Sequence, residues 1–134
     1  MDRQFERIKA ILGKDMDRSH NTLVKYHAYL KKVVIKPCIL TGIEDFSWEE
    51  PYILGGWDQA EYAELKKDNP SFTDQFQLME FLPVESGKED ILANVKRLSD
   101  KKVFEIELSW LECIDFKNEN YQFIHDYAVW HTNC

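Results

Sequence analysis

The sequence has little cysteine, little glycine and no long apolar run, and each shortage excludes a class of protein. Its three cysteines, Cys38, Cys113 and Cys134, are an odd count, so a disulfide framework is not expected and reduced thiols in a cytoplasmic setting are the simpler reading. No window approaches the roughly 20 consecutive apolar residues of a membrane span. The opening residues Met1 to Arg7 lack the apolar stretch of a secretory signal and are not acid-poor like a transit peptide. The five glycines form no phosphate-cradling loop, and there is no GxSxG, no CxxC and no internal repeat.

What is present suits one well-packed domain. The chain has 134 residues, of which 44% are hydrophobic and 13% aromatic, enough for a sizeable core. The net charge of −7 argues against unaided nucleic-acid binding, because neutralising phosphates needs a basic face. It favours cations or basic partners.

The most informative absence is local. Residues 1–36 carry nine Lys/Arg and four Asp/Glu, whereas residues 37–65 carry seven acids (Glu44, Asp45, Glu49, Glu50, Asp58, Glu61, Glu64) and no Lys, Arg or His. This window alone holds a charge equal to the excess of the whole chain. Fixed carboxylates without basic neighbours must spread into solvent, retain protons, or take a cation among them.

Residues 2–12 read as an amphipathic helix with Phe5, Ile8, Ile11 and Leu12 on one stripe and Gly13 as its stop. A polar linker follows, and Thr22 to Lys32 reads as a second helix with Leu23, Tyr26 and Leu30 on one face. Residues 1–22 are accordingly set apart as a helical extension and 23–134 as the main domain. Short strands are expected at Cys38–Thr41, Tyr52–Leu54 and Phe76–Phe81, the last alternating with period two. Asp58 caps a helix to about Asp68, with Glu61 reaching back as in a capping box. Ile91–Leu98 and Val103–Leu108 form a hairpin around Ser99–Lys102, with Val103, Glu105 and Glu107 on its outer face. Tyr121 to Trp130 reads as a helical turn leading to a last short strand. The expected class is α+β: a small, strongly bent antiparallel sheet, or an SH3-like barrel, with flanking short helices.

Between Gly42 and Pro51 four carboxylates fall within seven residues: Glu44, Asp45, Glu49 and Glu50. Phe46 and Trp48 can anchor this loop in an extended stretch. Such a set suits Ca²⁺, which takes about 6–8 oxygens from carboxylates, carbonyls and water, better than Mg²⁺ or Zn²⁺. It is no EF-hand: the nearest candidate, from Asp115, has Lys117 at its third position and Asn120 where glycine belongs.

The run Pro37-Cys38-Ile39-Leu40-Thr41-Gly42-Ile43-Glu44-Asp45-Phe46-Ser47-Trp48-Glu49-Glu50 resembles the signature of the cyanobacterial calcium-binding protein family, the CcbP-like proteins. Val95 to Lys102 and Asp126 to Trp130 are similar to that family in the same order, so the resemblance covers roughly residues 25–134. It implies a compact, mainly β protein that binds Ca²⁺ without EF-hands and buffers free intracellular calcium, a role linked in cyanobacteria to heterocyst differentiation. Matched position by position, it points to Glu44, Asp45, Glu49 and Glu50 as metal ligands, with Asp45 first among them.

Other readings are weaker. Zinc would need Cys113, His125, His131 and Cys134, which have no recognisable ligand spacing. Glu112, Asp115 and Asp126 stay outside the ligand set. No nucleophile–base pair marks an enzyme. The main alternative is an acidic interaction module, a small barrel whose patch docks a basic protein partner.

Overall fold

The computed structural model describes residues 3–134; Asp2, placed in the first helix by periodicity, lies outside them. Helix α1 (Arg3–Leu12) ends at Gly13, whose φ of +81° and N–H bond to the Lys9 carbonyl close the last turn. Ile8 and Leu12 are buried, while Phe5 remains half exposed. Helix α2 (His20–Val33) begins with a reciprocal cap between Ser19 and Thr22 and buries Leu23, Tyr26 and Leu30, the face expected from the sequence.

Five strands form one antiparallel sheet: β1 (Ile39–Gly42), β2 (Phe76–Phe81), β3 (Leu92–Arg97), β4 (Val103–Glu107) and β5 (Leu111–Cys113), in the order β4-β3-β2-β1-β5. The β3–β4 hairpin pairs Lys96 with Val103 and Leu92 with Glu107. Two short helices, α3 (Glu50–Ile53) and α4 (Gln59–Leu65), connect β1 to β2, and α5 (Glu119–Asn133) ends the chain. The core lies between the sheet and the helices, with Leu40, Phe76, Leu78, Val95, Ile106, Leu111, Ile124, Tyr127 and Trp130 all nearly inaccessible.

The sheet is not closed, so the SH3-like barrel gives way to an open, bent α+β sheet. Its bend follows from the connectivity. Strands β4 and β5 are opposite edges, which a flat five-stranded sheet would hold about 19 Å apart. Only the three-residue 3-10 turn Leu108–Trp110 joins Glu107 to Leu111, a stretch of chain that reaches about 14 Å at most. The sheet must therefore curl until its edges approach. The turn at this seam is held at both ends: Leu108 N–H bonds the Ile91 carbonyl at 2.8 Å, prolonging the β3–β4 pairing, and the Trp110 carbonyl accepts from Ile43 N–H at 2.9 Å, prolonging the β1–β5 pairing.

Three local expectations are corrected. Tyr52–Leu54 is no strand: Pro51 sits in the first turn of α3, and Leu54 N–H bonds back to the Glu50 carbonyl. Tyr121–Trp130 lies within one 15-residue helix, without a terminal strand. Asp58 Oδ1 does cap α4, accepting from Ala60 and Glu61 N–H, but the Glu61 carboxylate makes no reciprocal bond to the Asp58 N–H, so the cap is one-sided.

Helix α1 is tied into the rest of the fold. Asp126 of α5, 3% exposed, accepts from Arg7 Nε at 2.7 Å, Arg7 Nη2 at 3.0 Å and Gln4 Nε2 at 2.8 Å. Such charge-assisted bonds are stronger than neutral ones.

Candidate functional site

The acidic loop leaves β1 at Gly42, a point with no room for a side chain. A Cβ there would lie 2.5 Å from the Phe72 Cβ, and Gly42 N–H bonds the Phe72 carbonyl at 3.0 Å. Phe46 is buried against Trp110, with ring centroids 5.5 Å apart. The segment then turns as a 3-10 helix over Ser47–Glu49, so the anchoring expected of Phe46 is present but the extended conformation is not. Trp48 donates its indole N–H to the Pro70 carbonyl at 2.7 Å.

Glu49 is the internal fastener. Its carboxylate is 0% exposed and accepts four bonds: from Phe46 N–H at 3.1 Å, Phe72 N–H at 3.0 Å, the Tyr62 hydroxyl at 2.7 Å and the Ser71 hydroxyl at 2.6 Å. A carboxylate offers about four lone-pair positions, and all are taken. Burial, followed by the Glu49 carboxylate beside it, pushes the Tyr62 phenol up to about 12, so it remains a donor.

With Gly42, Phe46 and Glu49 pinned inward, Glu44, Asp45, Ser47 and Glu50 face a cleft of about 450 Å³. The seam supplies Ser109 and Trp110, and β5 supplies Glu112. The opposite wall comes from α5 through His125, Ala128, Val129, Thr132 and Asn133, whose spacing places them on one helical face. Four carboxylates therefore share the cleft, and no Lys or Arg lines it. The donors are hard oxygens, apart from His125, whose ring stacks on Tyr121. That set matches Ca²⁺ in chemistry. Among the described residues, no three His, Cys, Asp or Glu side chains stand close enough together to hold an ion. Full coordination would thus have to draw carboxylates inward and add hydroxyl, carbonyl or water oxygens.

The structure brings together Glu44, Asp45 and Glu50 and directs the Glu49 carboxylate elsewhere. Glu112 and Ser109 were missed as neighbours because they reach the cleft only through the β1–β5 pairing and the seam. The alternation of Leu111, Glu112 and Cys113, buried–partly exposed–buried, was the available signal for Glu112. Asp126 is committed to Arg7 and Gln4, and Asp115 caps a turn through Lys117 N–H. The zinc candidates are dispersed: Cys113 lies buried beside Cys38, His125 lines the cleft, His131 Nε2 sits 2.7 Å from the Glu89 carbonyl, and Cys134 is exposed.

No protein-family profile and no curated protein sequence matches the chain. Two solved structures share its fold. One is the crystal structure of Anabaena CcbP, at 15% identity and a TM-score of 0.62, covering 97% of this chain and 90% of that one. The other is a calcium-binding protein in its calcium-binding form, at 14% identity and a TM-score of 0.64, covering 98% and 91%. The chain thus has the α+β fold of these proteins, and the shared region extends into residues 1–22. No described helix is long and apolar enough to cross a membrane.

Proposed function

We propose that this chain binds Ca²⁺ without an EF-hand, in the cleft between the Gly42–Pro51 loop, the seam and α5. Asp45, Glu44 and Glu50 act as ligands, joined by Glu112, while Glu49 holds the loop that carries them. The observation that carries this reading is the pinning of a base-free acidic loop so that three of its four carboxylates, with Glu112, line one cleft. It is supported by the shared fold with a protein described in its calcium-binding form.

The same architecture supports a buffering role, in the cytoplasmic setting read from the odd count of cysteines. The loop is fastened at three points to the core, and the cleft walls are a helix and a sheet seam instead of a helix pair built to open. Binding with little change of shape suits sequestration more than signalling. The cleft is read as a binding site and not a catalytic one: Ser109 is bonded to Asp90 instead of a histidine. The SH3-like barrel on which the alternative of a basic-partner module rested is not formed.

The test is a calorimetric titration of chelator-treated protein with Ca²⁺ and, separately, Mg²⁺. Saturable Ca²⁺ heat that is lost in Asp45→Asn, with Mg²⁺ much weaker, is the expected result. Absence of heat at millimolar Ca²⁺ overturns the proposal.

A further inference from the structure

Behind the cleft wall lies a buried carboxylate that the ligand set does not use. Asp90 is 7% exposed; its Oδ2 accepts the hydroxyl hydrogen of Ser109, and its Oδ1 accepts that of Tyr127. The Tyr127 oxygen in turn accepts Ile91 N–H at 3.0 Å, so Asp90 is held from two sides by groups of the core. His131 Nε2 stands 3.6 Å from Oδ2, and Glu107 lies near enough to feel the Asp90 charge.

A serine hydroxyl has one hydrogen and two lone pairs. At Ser109 the hydrogen is committed to Asp90, so towards the cleft, which Ser109 lines, its oxygen can only accept. An anionic acceptor behind the hydroxyl also polarises it, leaving its oxygen richer in electron density. This is how outer-shell groups orient and tune metal ligands.

We propose that Asp90 is a positioning residue for cation binding, which turns the Ser109 hydroxyl hydrogen away from the cleft and presents Ser109 Oγ as a neutral oxygen ligand. The inference rests on the calcium reading above and names a ligand and its support outside the acidic loop. It explains why a serine on the sheet seam, far in sequence from Glu44–Glu50, belongs to the same site.

The test is a double-substitution cycle read by Ca²⁺ calorimetry. Ser109→Ala and Asp90→Asn should each weaken binding about tenfold. The double variant should be no weaker than either single one, since both remove the same interaction. Ser109→Thr, which keeps the hydroxyl, should stay within about threefold of the parent on the same scale. Asp126→Asn, which loosens the α1–α5 pairing away from the cleft, is the control that should lower the thermal midpoint without changing affinity. A readout free of the ion is the ¹³C carboxyl signal of Asp90 in chelator-treated protein, which should move in Ser109→Ala. Parental affinity in Ser109→Ala, additive losses in the double variant, or an unmoved Asp90 signal would each overturn the assignment. Lack of Ca²⁺ binding by the parent chain would instead remove the calcium reading itself.

Discussion

Glu49 and Glu50 are adjacent in sequence and face opposite environments: the Glu49 carboxylate is sealed among four donors, while Glu50 is exposed and lines the cleft. One carboxylate builds the loop so that the next can serve it. Their substitutions should therefore separate stability from binding.

Glu49→Gln keeps the shape of the side chain but replaces one acceptor oxygen by an NH₂ group, leaving two buried donors unmatched. The expected loss is about 3 kcal/mol, since each buried unmatched donor costs about 1–3 kcal/mol. Glu50→Gln, at an exposed position, should stay within about 0.5 kcal/mol of the parent. Chemical denaturation of calcium-free protein measures both. Equal stabilities for the two variants would contradict the fastening role of Glu49.

Trp110 offers an optical report on the cleft. It lines the cavity and packs at a tilt against Phe46, whereas Trp48, Trp57 and Trp130 do not line it. Tb³⁺, a hard cation that takes oxygen ligands as Ca²⁺ does, should emit when tryptophan is excited. Trp110→Phe should remove most of that emission, and added Ca²⁺ should displace it. Undiminished emission in Trp110→Phe would place the ion elsewhere.

Acid should weaken the fold through Arg97. This side chain, 3% exposed, bonds Asp74, both oxygens of Asp100 and the carbonyls of Lys66, Lys67 and Asn69 beyond the end of α4. The guanidinium holds the Asp100 carboxyl down at about 2, against about 3.9 in an unfolded chain. The stabilisation is complete above the unfolded value and is lost as pH falls through the folded one. The thermal midpoints of the parent and Asp100→Asn should differ most above pH 5 and converge near pH 2. Salt should narrow the gap, because Asp100 is partly open to solvent. A gap that persists unchanged at pH 2 would show that it does not arise from this charge.

The cysteines should differ sharply in reactivity. Burial, with Cys113 alongside, pushes the Cys38 thiol up to about 12, and Cys113 is buried too, while Cys134 is exposed. A thiolate-selective reagent at neutral pH should modify one thiol quickly in native protein and all three after unfolding. Rapid modification of Cys38 in the native protein would contradict its enclosure.

Much of this arrangement was legible in local patterns. Leu23, Tyr26 and Leu30 gave α2 its stripe, Phe76 to Phe81 alternated, and Ser99–Lys102 marked the hairpin turn. Helix α5 hid because Asp126, Tyr127 and Ala128 are all buried in succession, packed on α1, α2 and β5 at once, which erases a one-sided period. The acidic loop was visible by charge, but the inward turn of Glu49 depends on Tyr62, Ser71 and Phe72, more than ten residues away. Sequence counts carboxylates and cannot show which one the distant donors will claim.

The three-residue seam also bears on the order of assembly. Strands β2, β3 and β4 pair as sequence neighbours, but β1 meets β5 across some seventy residues of chain. Closing so long a loop carries the larger entropic cost and is repaid only after the meander has formed. The cleft is therefore a late product of folding: a partly folded or nascent chain carries the acidic residues without the enclosure that unites them. Cation uptake would then report completion of the tertiary structure and not the mere presence of the acidic segment.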